Sequence, residues 1–434
     1  MKQKLLKTFI KYVSLNVLGM IGLSCYILSD TFYVAKGLGS TGLTALNLSI
    51  SIYSFIHGVG LMIGIGGATR FAVLKSQGKR KEGTTVFSNA IVLGFIIGIT
   101  FLTLGIFFSK HLSQLLGADK VTLPLAHIYL RTLLMGAPFF ICNNILIAFV
   151  RNDGEPRLSM IAMLIGSFSN IILDYIFIFP LNMGMFGAAF ATVLAPIISI
   201  SILSLHFIYK KNNFRINSIK LRLNYVKDIL SLGVSSLITE VSSGIVLITF
   251  NLVILSLAGN IGVAAYGIVA NISLVAISIF VGIAQGVQPI ISDNFGKSNF
   301  VATKKLLHYA LLLSLLFSVL LYMIILLFSH AIITVFNAEQ NNTLAELANT
   351  GLYLYFIGFF FAGINIILSY FYSSILKPNI AFAVSILRGF AALIPSVFLL
   401  SQFWGLNGVW ISFPVAELIT LVFSFAFYKR TNLY

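Results

Sequence analysis

The chain has 434 residues, 58% of them hydrophobic and only 9% charged, and its mean hydropathy is +0.99. Soluble domains carry about 25% charged residues, so a soluble globular protein is excluded and an all-α polytopic membrane protein is implied. The net charge of +16 does not point to nucleic acid, because the basic residues sit in short loops between apolar runs, where they act as topology signals.

The N-terminus, MKQKLLKTFIKY, resembles the basic start of a signal peptide. The apolar segment behind it is long enough to span and lacks a small-residue cleavage site, which predicts a retained first helix. Runs of roughly 20 apolar residues can each cross a bilayer as a helix, because a helix satisfies its own backbone hydrogen bonds. Twelve such runs are predicted, centred near residues 22, 56, 97, 137, 169, 197, 243, 277, 318, 360, 391 and 418. Cys25 and Cys142 both fall inside apolar runs, which argues against a disulfide framework.

Lys and Arg alternate between rich and poor loops. The N-terminus, the loops after the second, fourth, sixth, eighth and tenth spans, and the C-terminus hold nearly all of them, Arg151 and Arg157 included. The opposite loops hold only Lys36, Lys110 and Lys120, and Arg131 and Arg388 lie within predicted spans. This bias places both termini in the cytoplasm and requires an even number of spans.

The basic linker YKKNNFRINSIKLRLNYVK (209–227) separates an N-lobe, 1–208, from a C-lobe, 228–434. Short matches recur across it. GSTGLTAL (39–46) aligns with GNIGVAAY (259–266), Gly-Lys at 78–79 with 296–297, and MGMFGAAF (183–190) with FWGLNGVW (403–410), pairing Gly184 with Gly405. Three matches in one order predict two pseudo-symmetric six-helix lobes, an architecture of alternating-access transporters whose site lies near mid-membrane.

Eight acidic residues fall in loops or at helix ends and read as solvated charges: Glu82, Asp119, Asp153, Glu155, Asp228, Asp293, Glu339 and Glu346. Four lie inside spans: Asp30, Asp174, Glu240 and Glu417. A carboxylate at the bilayer centre costs roughly 2.5–3.5 kcal/mol on insertion scales, and such residues face the bundle interior or a water-filled cavity. There a proton, a metal cation, a basic side chain or a cationic substrate can neutralise them. Arg131 and Arg388 are the candidate internal counter-ions. Asn170 and Asp174 stand four residues apart, on one helix face, and together offer hard oxygen ligands to a small cation.

Prolines 138, 196, 289, 395 and 414 interrupt spans and free backbone carbonyls. The run GVGLMIGIGGAT (58–69) lacks the Lys-Ser/Thr ending of a phosphate loop and reads as a close helix-packing surface. His57, His127, His206 and His308 show no metal-ligand spacing and read as packed or interfacial. The 39 Phe and 9 Met supply apolar surface for lipid, neighbouring helices or an adaptable cavity.

Over its full length the chain resembles the multidrug and toxic compound extrusion (MATE) transporters of the multidrug/oligosaccharidyl-lipid/polysaccharide flippase superfamily. The resemblance rests on twelve spans in two lobes, SDTFYVAKGLG (29–39), GIGGATRFAVLKSQGK (64–79), VRNDGEPRLSM (150–160), NIILDYIFIF (170–179) and MGMFGAAFAT (183–192). It implies a monomeric, multi-pass protein of the cytoplasmic membrane that exports amphipathic, often cationic compounds in exchange for Na+ or H+. No further cofactor is implied, nor is enzymatic activity. The resemblance maps a cation site onto Asp30, Asn170, Asp174 and Thr192, and a second acidic site onto Glu240. The first helix lacks the proline whose bending is proposed in some members, and Tyr175 follows Asp174 where proline is common, so no proton-driven kink of that helix is expected. Alternative readings are a lipid-linked oligosaccharide flippase, which needs a strongly cationic cavity, a membrane-embedded enzyme, which needs a clustered catalytic motif, and a passive channel.

Overall fold

A computed structural model describes residues 2–217, 219–337 and 340–430, so Glu339 lies outside the described residues. The described residues form helices joined by short turns, with no strand among them. Eight helices are long and apolar enough to cross a membrane, and the pair Asn342–Phe356 and Phe359–Ser374, bent by 47°, makes a ninth. Three of these nine are hairpins of two spans, reversing at Gly39, Gly259 and Gly405. The chain therefore crosses twelve times.

The three reversals share one backbone solution. Gly39 has φ 66°, Gly259 61° and Gly405 54°, each with ψ beyond ±130°, a region that is almost exclusively glycine's. Contacts across each turn establish the hairpins. The Tyr26 and Tyr53 hydroxyls bond to one another, Phe250 stacks on Tyr266 at 5.1 Å, and Arg388 pairs with Glu417.

Two of the sequence repeats thus carry matched conformations. Gly39 and Gly259 have positive φ, as do Gly184 and Gly405. The third match is displaced: the positive-φ counterpart of Gly78 is Ser298, not Gly296, so the Gly-Lys pairing is out of register by two residues. The twelve spans form two pseudo-symmetric halves of six. In the first half they run over 2–38, 40–76, Arg80–Leu115, Leu123–Asn152, Pro156–Ile178 and Gly184–Leu203. In the second half they begin at Leu223, a few residues before the predicted end of the linker.

Prolines 138, 196, 289 and 414 lie within helices. The 47° bend at 357–358 has no proline. Ahead of Pro395 the helix widens into a π-turn, Leu387–Ala391, a local adjustment that accommodates a residue unable to donate to the preceding turn.

The halves meet along the first and eighth spans and along the second and seventh. Gly66 and Gly233 let backbones touch: a Cβ at Gly66 would lie 2.0 Å from the Ile229 carbonyl oxygen, and one at Gly233 would lie 1.8 Å from that of Met62. The glycine-rich run is therefore a packing surface, as its composition predicts. Among the described residues, the hydrogen bonds and ion pairs joining the halves start at the end bearing the termini. They reach no farther out than Ser24–Ser278 (2.5 Å) and His57–Glu240 (3.6 Å), near mid-span. The molecule is sealed at its terminal end and parts toward the other.

The linker is docked. Phe214 is 1% exposed and sits among Phe71, Phe87, Phe149 and Phe207 at centroid distances of 4.4–5.5 Å. Asn213 donates its backbone N–H and its amide to Asp153, which also accepts from Lys75 (2.5 Å) and contacts His206 (2.9 Å). Asp153 is therefore not the solvated charge its loop position suggests. Burial raises its pKa, but the bonds from His206, Lys75 and Asn213 outweigh that and hold the carboxyl below its ordinary range.

Candidate functional site

The first, fourth, fifth and sixth spans bring the predicted cation-site residues together. Asp174, Asn170, Thr192 and Asp30 are 0%, 0%, 3% and 7% exposed. With its amide turned to satisfy both ends, Asn170 donates to Asp174 Oδ2 at 3.0 Å and accepts from the Thr192 N–H at 3.3 Å. The i, i+4 spacing on the fifth helix sets the first bond. The second ties that helix to the sixth. Asp30 Oδ2 accepts from the Tyr129 hydroxyl at 3.3 Å. Thr192 and Tyr129 line the pocket that contains Asp30. Tyr129 belongs to the site but carries no signal in the sequence, because a tyrosine in an apolar run looks like any interfacial aromatic.

One oxygen of each carboxylate, Asp30 Oδ1 and Asp174 Oδ1, has no hydrogen-bond partner. Among the described residues neither acid pairs with Lys, Arg or His. The arrangement presents anionic oxygens, a carboxamide and a threonine in a buried pocket with the compensating charge left to come from outside. A proton or a small hard cation matches that donor set. No cluster of three His, Cys, Asp or Glu side chains suited to a transition metal occurs among the described residues.

The other two acids of the spans are paired. Glu240 faces His57 across the junction of the halves at 3.6 Å and keeps 28% of its side chain exposed. Glu417 binds Arg388 Nε at 2.6 Å and accepts from Asn365 at 2.8 Å. Arg388 thus takes the counter-ion role, presented by the π-turn. Arg131 does not: it lies exposed on its helix and pairs with no acid among the described residues, because its position turns outward from the bundle.

Next to the acidic pocket, a partly open cavity is lined by Tyr26, Tyr53, His57, Phe140, Met163 and Thr192, among others. Its wall is aromatic and aliphatic with a few convergent polar groups, the usual make-up of a small-molecule site. Arg151 and Gln285 also line it. Arg151 is not a loop charge, as its place after the fourth apolar run suggests, but is 1% exposed.

Comparison with known proteins agrees with this architecture. The MatE family model matches residues 17–176 and 235–398, once in each half. The chain is 28% identical over 389 residues to the multidrug export protein MepA of Staphylococcus saprophyticus, covering 87% of this chain and 83% of that protein. It is 27% identical over 403 residues to MepA of Staphylococcus aureus strain MSSA476, covering 90% and 86%. A solved structure described as the outward-facing conformation of a multidrug resistance MATE family transporter of the MOP superfamily superposes with a TM-score of 0.92. That match has 23% identity and covers 98% of this chain and 95% of the other. With twelve spans in two halves, a buried acidic pocket in the first and a family match in both, the chain belongs to the MatE family.

Proposed function

We propose that this protein is a multidrug efflux antiporter, a transporter rather than an enzyme. It exports amphipathic, cationic small molecules in exchange for Na+ or H+. The observation that carries the reading is the buried pair of carboxylates, Asp30 and Asp174, each with an oxygen free of partners and without a basic neighbour. A carboxylate pair kept permanently neutral by Arg would be structural. One left uncompensated beside an aromatic-lined cavity is suited to taking up and releasing a cation during each cycle. Glu240, its side chain 28% exposed beside His57 at 3.6 Å, is a second acidic position in this reading.

In this reading the protein lies in the cytoplasmic membrane as a monomer, with both termini and the basic linker on the cytoplasmic side. The Lys and Arg bias supports that orientation. The sealed terminal end is then the cytoplasmic gate, and the conformation faces outward. One charge moving through about 100 mV contributes roughly 2.3 kcal/mol, or about a fifty-fold gradient of a neutral substrate at one-to-one exchange. A lipid-linked oligosaccharide flippase fits less well, since the cavity wall offers a single guanidinium, Arg151.

The test is efflux of a fluorescent cationic dye from proteoliposomes under separately imposed Na+ and H+ gradients. The expected outcome is that one gradient drives export, and that Asp174→Asn lowers the driven rate by about tenfold or more, the loss of a transport-essential charge. Driven export unchanged in Asp174→Asn would remove that residue from the coupling site.

A further inference from the structure

Arg151 closes the last turn of the fourth span and is buried in the gate at the terminal end. Its Nη1 donates to two carboxamide oxygens, Asn16 Oδ1 from the first half and Gln285 Oε1 (3.2 Å) from the second. Each cage member is fixed in turn: Asn16 donates to the Gly282 carbonyl at 2.9 Å, and Gln285 donates to the Tyr370 hydroxyl at 3.3 Å. Arg151 Nε has no partner.

The cage is neutral throughout. No carboxylate pairs with Arg151 among the described residues. Asp153, two residues on, is engaged by Lys75, His206 and Asn213. Beside Arg151 the seal continues in uncharged groups, with Gln288 bonding Asn152 and Thr69 at 3.0–3.2 Å.

A buried guanidinium with no opposing charge is costly, and a carboxylate at Gln285 or Asn16 would relieve it. Carboxamides satisfy N–H groups yet leave the positive charge uncancelled, and in a poorly screened interior that charge acts over several ångströms. Arg151 and Gln285 line the cavity and also belong to the contacts that close the terminal end, so the guanidinium stands where the cavity meets that seal. An Arg held in a narrow path is a known way to exclude cations.

We propose that Arg151 is the selectivity residue of the closed cytoplasmic gate: its uncompensated charge repels Na+, protons and cationic substrates, and so suppresses leak that would dissipate the gradient without export. The carboxamide cage holds the guanidinium in place without cancelling it. This rests on the outward-facing antiporter reading above.

The experiment measures substrate-free leak of radioactive Na+ and of protons through liposomes holding the full-length protein. Arg151→Gln is expected to raise leak by about tenfold or more, and Gln285→Glu, which keeps the guanidinium but cancels its charge, to raise it as well. Arg151→Lys, which keeps the charge but loses the forked geometry, is expected to stay within about twofold of the unaltered protein. Unchanged leak in Gln285→Glu, or equal leak in the Lys and Gln variants, overturns the proposal and leaves only a packing seal. If Arg151→Gln does not reconstitute, Gln285→Glu alone decides. Failure of the antiporter reading is separable, because it appears as absent gradient-driven export in the unaltered protein while leak needs no substrate.

Discussion

Asp30, Asp174, Glu240 and Glu417 are four carboxylates in apolar helices, and their neighbours divide them. Glu417 is locked between Arg388 and Asn365, so its charge is spent on holding the eleventh and twelfth spans to the tenth. Removing one partner of a buried pair leaves the other charge unpaired, so Arg388→Met is expected to cost roughly 3–5 kcal/mol. Adding Glu417→Leu should restore most of that loss. Thermal unfolding in detergent checks both, and a single variant as stable as the unaltered protein would show the pair to be idle. Asp30 and Asp174 lack such partners. Their polar neighbours, Tyr129 and Asn170, orient the carboxylates without neutralising them, which suits a site that must exchange its counter-ion.

At the level of elements, the three hairpin reversals turn on glycines whose backbone no other residue adopts easily, and the linker is an element in its own right. Phe214 fills an aromatic box on the first half while Asn213 binds Asp153, so the linker travels with that half, which also holds the Arg222 N–H at Asn89 Oδ1 (2.7 Å) just before the seventh span begins. Asp153 is held below its ordinary pKa, so its contribution to stability is present above the unfolded value of about 3.9 and is lost as pH falls through the lower folded value. Asp153→Asn should therefore melt earlier than the unaltered protein at pH 7, by several degrees, and the gap should close as pH drops below about 4. A gap independent of pH would show that the carboxylate's charge does not anchor the linker.

The molecule as a whole seals at the terminal end and parts at the other, and the sequence discloses the frame better than the seal. Spans were legible because about 20 apolar residues in a row have few other uses, and Asp30, Asn170 and Asp174 because acids and amides in such runs stand out, whereas Thr192 came only from the family resemblance. Tyr129 was hidden by its resemblance to an interfacial aromatic. Arg151 and Asp153 were misplaced because a charge beside a turn normally meets water, whereas here the docked linker and the opposing half cover the turn. Arg131 was misjudged because sequence gives depth in the membrane but not helix rotation. Exchange by a protein that alternates between two facing states requires ion and substrate to favour different states, and therefore each to change the other's affinity. The most direct test is the substrate dissociation constant of the purified protein, measured across Na+ concentration and across pH. One ion is expected to weaken substrate binding by about tenfold at saturation, and the dependence to disappear in Asp174→Asn. Substrate affinity indifferent to both ions in the unaltered protein would contradict it.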